Sequence, residues 1–510
     1  MLDSHKIKSL EEVKAIVGEY PREQTVALCH GVFDIVHPGH IRHFKHVSEM
    51  ADILIVSLTR DQYINKGPVQ PYLPDELRAF NLAALEYVDY VVIDDNPEPL
   101  RNIEKLRPDF YAKGYEYAAG ENPKTEKERK ALESYGGKFL FTPGDVVFSS
   151  SKIIRSYRPN LSAEKLLAVM SGENLTFGSL IEQLDFSRKA KILVVGDVIV
   201  DGITECTPLV GMTKTPTISV KKESQEMFVG GAGIVAKHLA AAGCEVEFLS
   251  VIGNDDRASF VERDLAESGV KFTLIRDPLR VTTFKNAIVA NGYRLLKVDE
   301  LDNRNISDGD VAAIKARIAE SDADAIVFSD FRHGIFFKES IDAFSLSIKP
   351  DVLKIADSQV ASRWGNITHF KNFDLITPNE REARFALADQ DSVLRPLASM
   401  IRNAADAKYA ILKCGDQGVF VCRDDDRTKR SSLALDSFAS EVVDAMGAGD
   451  ALLAYATKML CIKDDIAAAA IIGNLAAAMA CSVDGNVPIS LADIKAQVRE
   501  IEKAVDGFKC

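Results

Sequence analysis

The sequence predicts an α/β protein built as two units, each around a parallel sheet flanked by helices. Three observations predict it. With 510 residues, 46% of them hydrophobic, the chain exceeds the size at which one core stops growing. Short apolar runs of strand length alternate with stretches of helical spacing, the pattern of a parallel sheet. That alternation breaks once, at YRPNLSAEKLLAVMSGENLTFGSLIEQLDFSRKAK, which reads as a connector with one or two short helices. The boundaries that follow are a domain over 1–158, a linker over 159–188 and a domain over 189–510.

The elements follow in order. Ser9, with Glu12 three positions on, sets a capping box for a helix to about Glu19. The run VALCHGVF, Val26 to Phe33, is a buried strand that leads through Pro38 and Gly39 into a helix, and ADILIVSLT and YVDYVVID are further buried strands. A new strand opens at KILVVGDVIV, Lys191 to Val200, and EVEFLSVIG, DAIVFSD, VLKIAD, FDLITPNE and YAILKCG continue a second, larger sheet. No short-period repeat or low-complexity segment interrupts either half.

Composition excludes several classes of function. Sixty-two basic against seventy-five acidic residues give a net charge of -13, which opposes nonspecific attraction to nucleic acid or anionic lipid. Phosphate chemistry must therefore use local sites. The eight cysteines form no CxxC pair and sit mostly in apolar runs, as buried thiols of a reducing compartment do. No apolar run approaches a membrane span, and the N-terminal stretch carries charge throughout. The expectation is a cytoplasmic protein with no nucleic-acid or membrane partner.

The first candidate site is the turn GVFDIVHPGHIRHF, which holds Gly31, Phe33, Asp34, His37 and His40. Two imidazoles at a helix start are aimed at the carboxyl edge of a parallel sheet, where ligands bind and where backbone N–H groups favour anions. Donors fixed there stabilise the charge that builds on the equatorial oxygens of an attacked α-phosphate. Far downstream, FSSSKIIRS places Ser149, Ser150 and Ser151 before a helical run, able to cap it and to hold phosphate oxygens. Over about residues 24–158 these segments resemble the HxGH cytidylyltransferase-like family. The resemblance implies a Rossmann-like nucleotidylyltransferase domain in which His37 and His40 are catalytic. It also implies that Lys66, Arg78 and Lys113 meet the nucleotide with the three serines.

The second candidate site is VVDAMGAGDALLAYATKML, where Gly447, Ala448 and Gly449 let the backbone approach a ligand at a helix N-terminus with Asp450 beside it. An anion hole next to a carboxylate is what phosphoryl transfer to an alcohol needs, with Asp450 as the base. Over about residues 189–500 the chain resembles the ribokinase-like (PfkB) carbohydrate kinases. That resemblance implies a C-terminal αβα domain with a small β-lid, whose strands fall in Thr204 to Lys222 and Val281 to Asp299, and a homodimer paired through that lid. It assigns Asp201, Gly230, Gly231 and Asp330 to the sugar, and Gly415 and Gly418 to ATP. Asn379 and Glu382, an N-x-x-E pair, go to a water-mediated Mg2+ site. The chain departs from the family at Ile234, where Asn is usual, and at Met446, where Thr or Gly is commoner.

A kinase and a nucleotidylyltransferase on one chain imply sugar activation. The pairing resembles the bifunctional heptose phosphate kinase and adenylyltransferase family with its domains in reversed order. It implies phosphorylation of a heptose 7-phosphate and then nucleotidyl transfer from ATP or CTP to the sugar 1-phosphate. No DxDxT-type phosphatase motif occurs here, so either a separate phosphatase partner acts between the steps or the substrate lacks the distal phosphate. Two other readings stand beside it: a CTP-dependent transferase of a polyol or other alcohol phosphate with its own kinase, or one half turned into a binding module, which Ile234 motivates.

Overall fold

The computed structural model describes residues 4–64, 71–114, 123–142, 162–209, 218–360, 366–424, 431–439, 442–483 and 485–507. The chain divides into two compact units, Met1–Val169 and Met170–Cys510. The division falls in the helix Ser162–Gly172, inside the stretch read as a connector.

The N-terminal unit is one parallel sheet of β1 (Val26–Gly31), β2 (Ile53–Thr59), β3 (Tyr90–Asp94), β4 (Phe110–Gly114) and β5 (Lys138–Thr142), in the order β3-β2-β1-β4-β5. Side chains alternate across a strand, so β1 sends Ala27 and Cys29 into a core with Phe44 and Leu82, and Val26 and Leu28 into another with Val13 and Tyr111. Both faces are covered. That is why every residue of β2 is buried and its sequence reads as one apolar run. Helix Leu10–Val17 carries the Ser9–Glu12 capping box. The strand order turns at β1, which places a crevice at the carboxyl ends of β1 and β4.

The C-terminal unit holds two sheets. The larger contains β6 (Lys191–Gly196), β9 (Glu245–Ile252), β10 (Lys271–Arg276), β13 (Ala325–Asp330), β14 (Leu353–Ser358), β15 (Leu375–Ile376), β16 (Tyr409–Lys413), β17 (Val419–Cys422) and β18 (Ser432–Leu435), in the order β10-β9-β6-β13-β14-β15-β16-β17-β18. Only β17 and β18 run antiparallel to their neighbours. Phe328, Phe336, Phe344, Phe370 and Phe373 fill part of its core, with ring pairs edge-on or tilted. The smaller sheet is a lid of β7 (Val198–Pro208), β8 (Val220–Gly231), β11 (Phe284–Ala290) and β12 (Tyr293–Glu300), in the order β12-β11-β7-β8.

Two elements differ from the sequence expectation. KILVVGDVIV is not one strand: β6 stays in the large sheet and β7 leaves it after Asp197, so the lid begins six residues before Thr204. The cause is local. A Cβ on Gly196 would lie 2.2 Å from the Ser329 carbonyl, and the Asp197 carboxylate accepts N–H bonds from Phe331 at 3.0 Å and His333 at 3.1 Å, which pulls the chain toward the loop after β13. FDLITPNE contributes only Leu375 and Ile376 to the sheet, because Asn379 caps the helix Glu380–Leu387 three residues later. Among the described residues the cysteines are free, and no helix is long and apolar enough to cross a membrane.

Candidate active sites

In the N-terminal unit, His37 is the N-cap of helix Pro38–Ser48 and its Nδ1 accepts the Gly39 N–H at 3.1 Å. An accepting Nδ1 puts the ring proton on Nε2, which is then a donor. The His37 and His40 rings stack with centroids 3.8 Å apart, and Phe33 meets His40 edge-on at 5.2 Å. Glycine is required on both sides of this stack: a Cβ on Gly39 would lie 2.8 Å from the His37 ring, and one on Gly31 would lie 2.9 Å from Phe33. Phe33 itself is held at φ +48°, a conformation that a non-glycine residue adopts at a cost and that clusters at functional sites.

The other expected residues divide. Asp34 is buried and accepts backbone N–H bonds from Tyr72 and Leu73, both at 2.8 Å, so it shapes the loop. Burial pushes its carboxyl up against those bonds. Arg78 is fully buried, and its guanidinium donates to the carbonyls of Leu73, Val32 and Thr59 and to Asp61. It belongs to the scaffold under the crevice rather than to its surface. Lys113, at the end of β4, is paired with the buried Glu128. Lys66, Ser149, Ser150 and Ser151 lie outside the described residues. One residue was missed: His30 on β1, whose Nδ1 is 2.7 Å from Ser57 Oγ and whose Nε2 is 3.1 Å from Thr59 Oγ1. Burial, aided by Lys113, lowers this imidazole to about 3, so it is a neutral polar floor to the crevice. Its strand position resembled any core residue, and only the alignment of β1 with β2, which sets His30 opposite Ser57, reveals it.

In the C-terminal unit, helix Ala448–Ile462 starts at Gly447, which has φ +75°. Its first turn opens on a cavity of about 690 Å³ that Gly447, Ala448, Gly449, Asp450, Gly415 and Gly418 help to line. Gly418 is obligatory, with φ +81° and a Cβ that would lie 2.1 Å from the Leu435 carbonyl. Asp450 opens on the cavity yet is surrounded by protein. Burial first, and then Asp357, push its carboxyl up to about 8, against the pull of Lys413. Asn379 and Glu382 also line the cavity, and they form a capping box: the Asn379 N–H donates to Glu382 at 2.7 Å and the Glu382 N–H to Asn379 Oδ1 at 2.8 Å. Burial raises Glu382 to about 7.

At the lid, Asp201 of β7 pairs with Phe228 of β8, and its side chain leans over Gly230. A Cβ on Gly230 would lie 2.0 Å from Asp201 Oδ2, so glycine is what admits this carboxylate. Gly231, at φ +60°, would bring a Cβ within 2.5 Å of the Asp197 carbonyl. Asp330 is a correction: it is 1% exposed and accepts from Arg332 Nη1 and the Arg332 N–H at 2.8 Å and from Ser358 Oγ at 2.7 Å, which ties down the loop after β13 instead of reaching a sugar.

Residues 189–491 match the model of the pfkB family of carbohydrate kinases. The chain belongs to the pfkB family. Residues 28–156 match the cytidylyltransferase-like model. Among curated relatives, the bifunctional protein HldE of a Nitratiruptor species is 26% identical over 324 residues, 62% of this chain and 66% of that protein. The D-beta-D-heptose 7-phosphate kinase of Bordetella bronchiseptica is 30% identical over 273 residues, 52% of this chain and 82% of the relative. The bifunctional protein HldE of Syntrophotalea carbinolica is 37% identical over 136 residues, 26% of this chain and 27% of the other. The matched stretch thus spans just under two thirds of the first relative. Phosphofructokinase-2 from Escherichia coli, in complex with substrates and products, shares the fold over 62% of this chain and 100% of its own, with TM-score 0.52 and 17% identity.

As a pfkB kinase the chain carries three features that the motifs did not indicate. Lys413, at the end of β16, donates to Asp357 at 2.8 Å. Despite the cost of burial, Asp357 and Glu382 hold its ammonium above the usual range. A second cavity of about 270 Å³ under the lid is lined by Asp201, Lys285, Arg294, Lys297 and Asn486. Asp201, Lys285, Lys297 and Asn486 line both cavities. These cations are 84 or more residues from Asp201 in sequence and 150 or more from Asp450, and only the pairing of β11 with β7 brings Lys285 opposite Asp201.

Proposed function

We propose that the chain is a bifunctional sugar-activating enzyme: its C-terminal unit phosphorylates a heptose 7-phosphate with ATP, and its N-terminal unit joins the resulting sugar 1-phosphate to a nucleotide. The observation that carries this reading is the set of cations, Lys285, Lys297 and Arg294, beside Asp201 in a cavity whose lining it shares with that of Asp450. An uncharged sugar needs no such set, whereas a sugar that already bears a phosphate does. The relatives named as HldE and as a heptose 7-phosphate kinase supply the sugar class.

In the kinase step Asp450 takes the proton of the attacking hydroxyl, whose oxygen bonds to the γ-phosphorus as ADP leaves. The N-terminus of helix Ala448–Ile462 holds the charge on the transferred group. Asp357, Glu382 and Asn379 offer hard oxygen ligands that fit Mg2+, directly or through water, and the ion would neutralise the triphosphate. In the transferase step an oxygen of the sugar 1-phosphate bonds to the α-phosphorus of ATP or CTP and pyrophosphate leaves, with His37 and His40 donating to the equatorial oxygens. A substrate that keeps its distal phosphate requires a separate phosphatase between the steps. Two copies pair through the lid, where the edge strand β12 exposes Tyr293, Leu295, Leu296 and Val298.

The test is the purified chain with Mg2+, ATP, CTP and heptose 7-phosphate, its products resolved by mass. A heptose bisphosphate is expected, followed by a nucleotide heptose once a phosphatase is added. Phosphorylation of unphosphorylated sugars alone would overturn the reading.

A further inference from the structure

Asn486 lies 36 residues beyond Asp450 in sequence, in no motif, and at the meeting point of the sugar cavity and the anion hole. Its Nδ2 donates to Asp201 Oδ2 at 2.8 Å. A carboxylate only accepts, so this bond fixes which way the amide is turned and sends Oδ1 the other way. The residue is 6% exposed, and Oδ1 is buried with no hydrogen-bond partner among the described residues. Such an acceptor destabilises a protein unless something satisfies it.

Two glycines pack against this amide. Gly447 would bring a Cβ to 2.8 Å from Oδ1, and Gly230 one to 2.9 Å from Nδ2. Two glycines from different segments thus clear the space on both sides of the amide. Asn486 lines both cavities, so its amide lies between Asp201 on one side and Gly447 of the anion hole on the other. Helix Ala232–Ala241, which follows the paired glycines, offers no polar side chain in its first turn, where Ile234 is fully buried.

We propose that Asn486 is a specificity-determining residue of the kinase site, whose Oδ1 accepts the hydrogen bond of one sugar hydroxyl while Asp201 accepts a neighbouring one. This rests on the sugar-kinase reading above. The pair then reads two adjacent hydroxyls from one rigid amide–carboxylate unit. A sugar that lacks the Asn486 hydroxyl, or holds it in the opposite configuration, leaves the acceptor buried and unsatisfied, a large discrimination for a small structural change.

The test is a cycle between variant and substrate, with the full chain, Mg2+-ATP, and heptose 7-phosphate with its monodeoxy analogues. In the unmodified enzyme one analogue besides the one facing Asp201 should lose on the order of 10- to 100-fold in kcat/KM. In Asn486→Leu that loss should shrink to about 2-fold or less, the penalties at hydroxyls that face neither Asn486 nor Asp201 should persist, and KM for ATP should be unchanged. Asn486→Ser, which keeps a short polar group, carries the same comparison if the leucine variant melts early. Equal penalties in the variant and the unmodified enzyme for every analogue overturn the inference and leave the kinase reading intact. Failure of the unmodified enzyme to phosphorylate heptose 7-phosphate overturns both.

Discussion

Replacing Lys413 by Met removes the cation that the structure sets among Asp357, Glu382 and Asp450. Lys413 bonds Asp357 at 2.8 Å, and it lowers Asp450 and Glu382, both of which burial has already raised, to about 8 and about 7. An opposite charge at such range typically holds a carboxylate down by about 1–3 pKa units. The base must be ionised to accept a proton, so the acid limb of kcat/KM for the kinase, near pH 8 in the free enzyme, should move up by about 1–3 pH units. At pH 7 that is about a 10- to 1000-fold loss. Much of it should return as the pH is raised past about 9. The assay is the initial rate of ADP formation from about pH 6 to 10, with nucleotidyl transfer followed in parallel as an internal control that should not change. A variant that is slower by the same factor at every pH would refute the electrostatic argument and leave Lys413 a packing residue.

Three further outcomes are expected. Asp450→Asn should abolish the kinase and spare nucleotidyl transfer; and because the folded carboxyl, at about 8, binds a proton that the unfolded one releases near 4, it destabilises the apo protein progressively as pH rises from about 4 to 8. The variant should therefore melt above the unmodified apo protein at about pH 8 and close to it at about pH 4, as measured by calorimetry. His37→Ala, which removes an Nε2 donor, should cost on the order of 100-fold or more in nucleotidyl transfer while the kinase rate stays level. Tyr293→Glu with Val298→Glu puts charge on the exposed edge strand of the lid, and sedimentation should find monomers for this variant and a dimer for the unmodified chain.

The features legible in the sequence are those that act through neighbours along the chain. The apolar runs of β1 and β2, the Ser9–Glu12 box and the turns at Gly39 and Gly447 depend on local periodicity and backbone conformation. The place of Asp450 was readable for the same reason, since it sits in the first turn of the helix that the glycines start. What escaped depends on register between distant strands. Lys285 faces Asp201 because β11 pairs with β7 across 84 positions, and His30 meets Ser57 and Thr59 because β1 and β2 align as they do. Asp330 misled because a buried carboxylate at the end of a strand reads alike whether it holds a ligand or its own loop; Arg332 and Ser358 decide between them. The N-x-x-E pair is ambiguous in the same way, since the spacing that suits a metal network is also that of a capping box.

The kinase cavity is built at the expense of the unit's own stability. Asp357, Glu382 and Asp450 gather around Lys413, and Glu382 and Asp450 are pushed far above the ordinary carboxylate range. A site serving only the fold would have neutralised or replaced them, because buried charge without a partner is costly. Among the described residues no three acidic, histidine or cysteine side chains converge as a ready-made metal cage. The oxygens gathered here therefore suit a divalent cation held jointly by these side chains and by the oxygens of a triphosphate. A Mg2+ ion nearer to Asp450 than the phosphate oxygens are would lower its carboxyl and ionise the base when the phosphoryl donor is in place. A pH profile of kcat with its acid limb below that of kcat/KM would follow, and an acid limb at the same pH in both would mean that the nucleotide leaves this charge balance untouched.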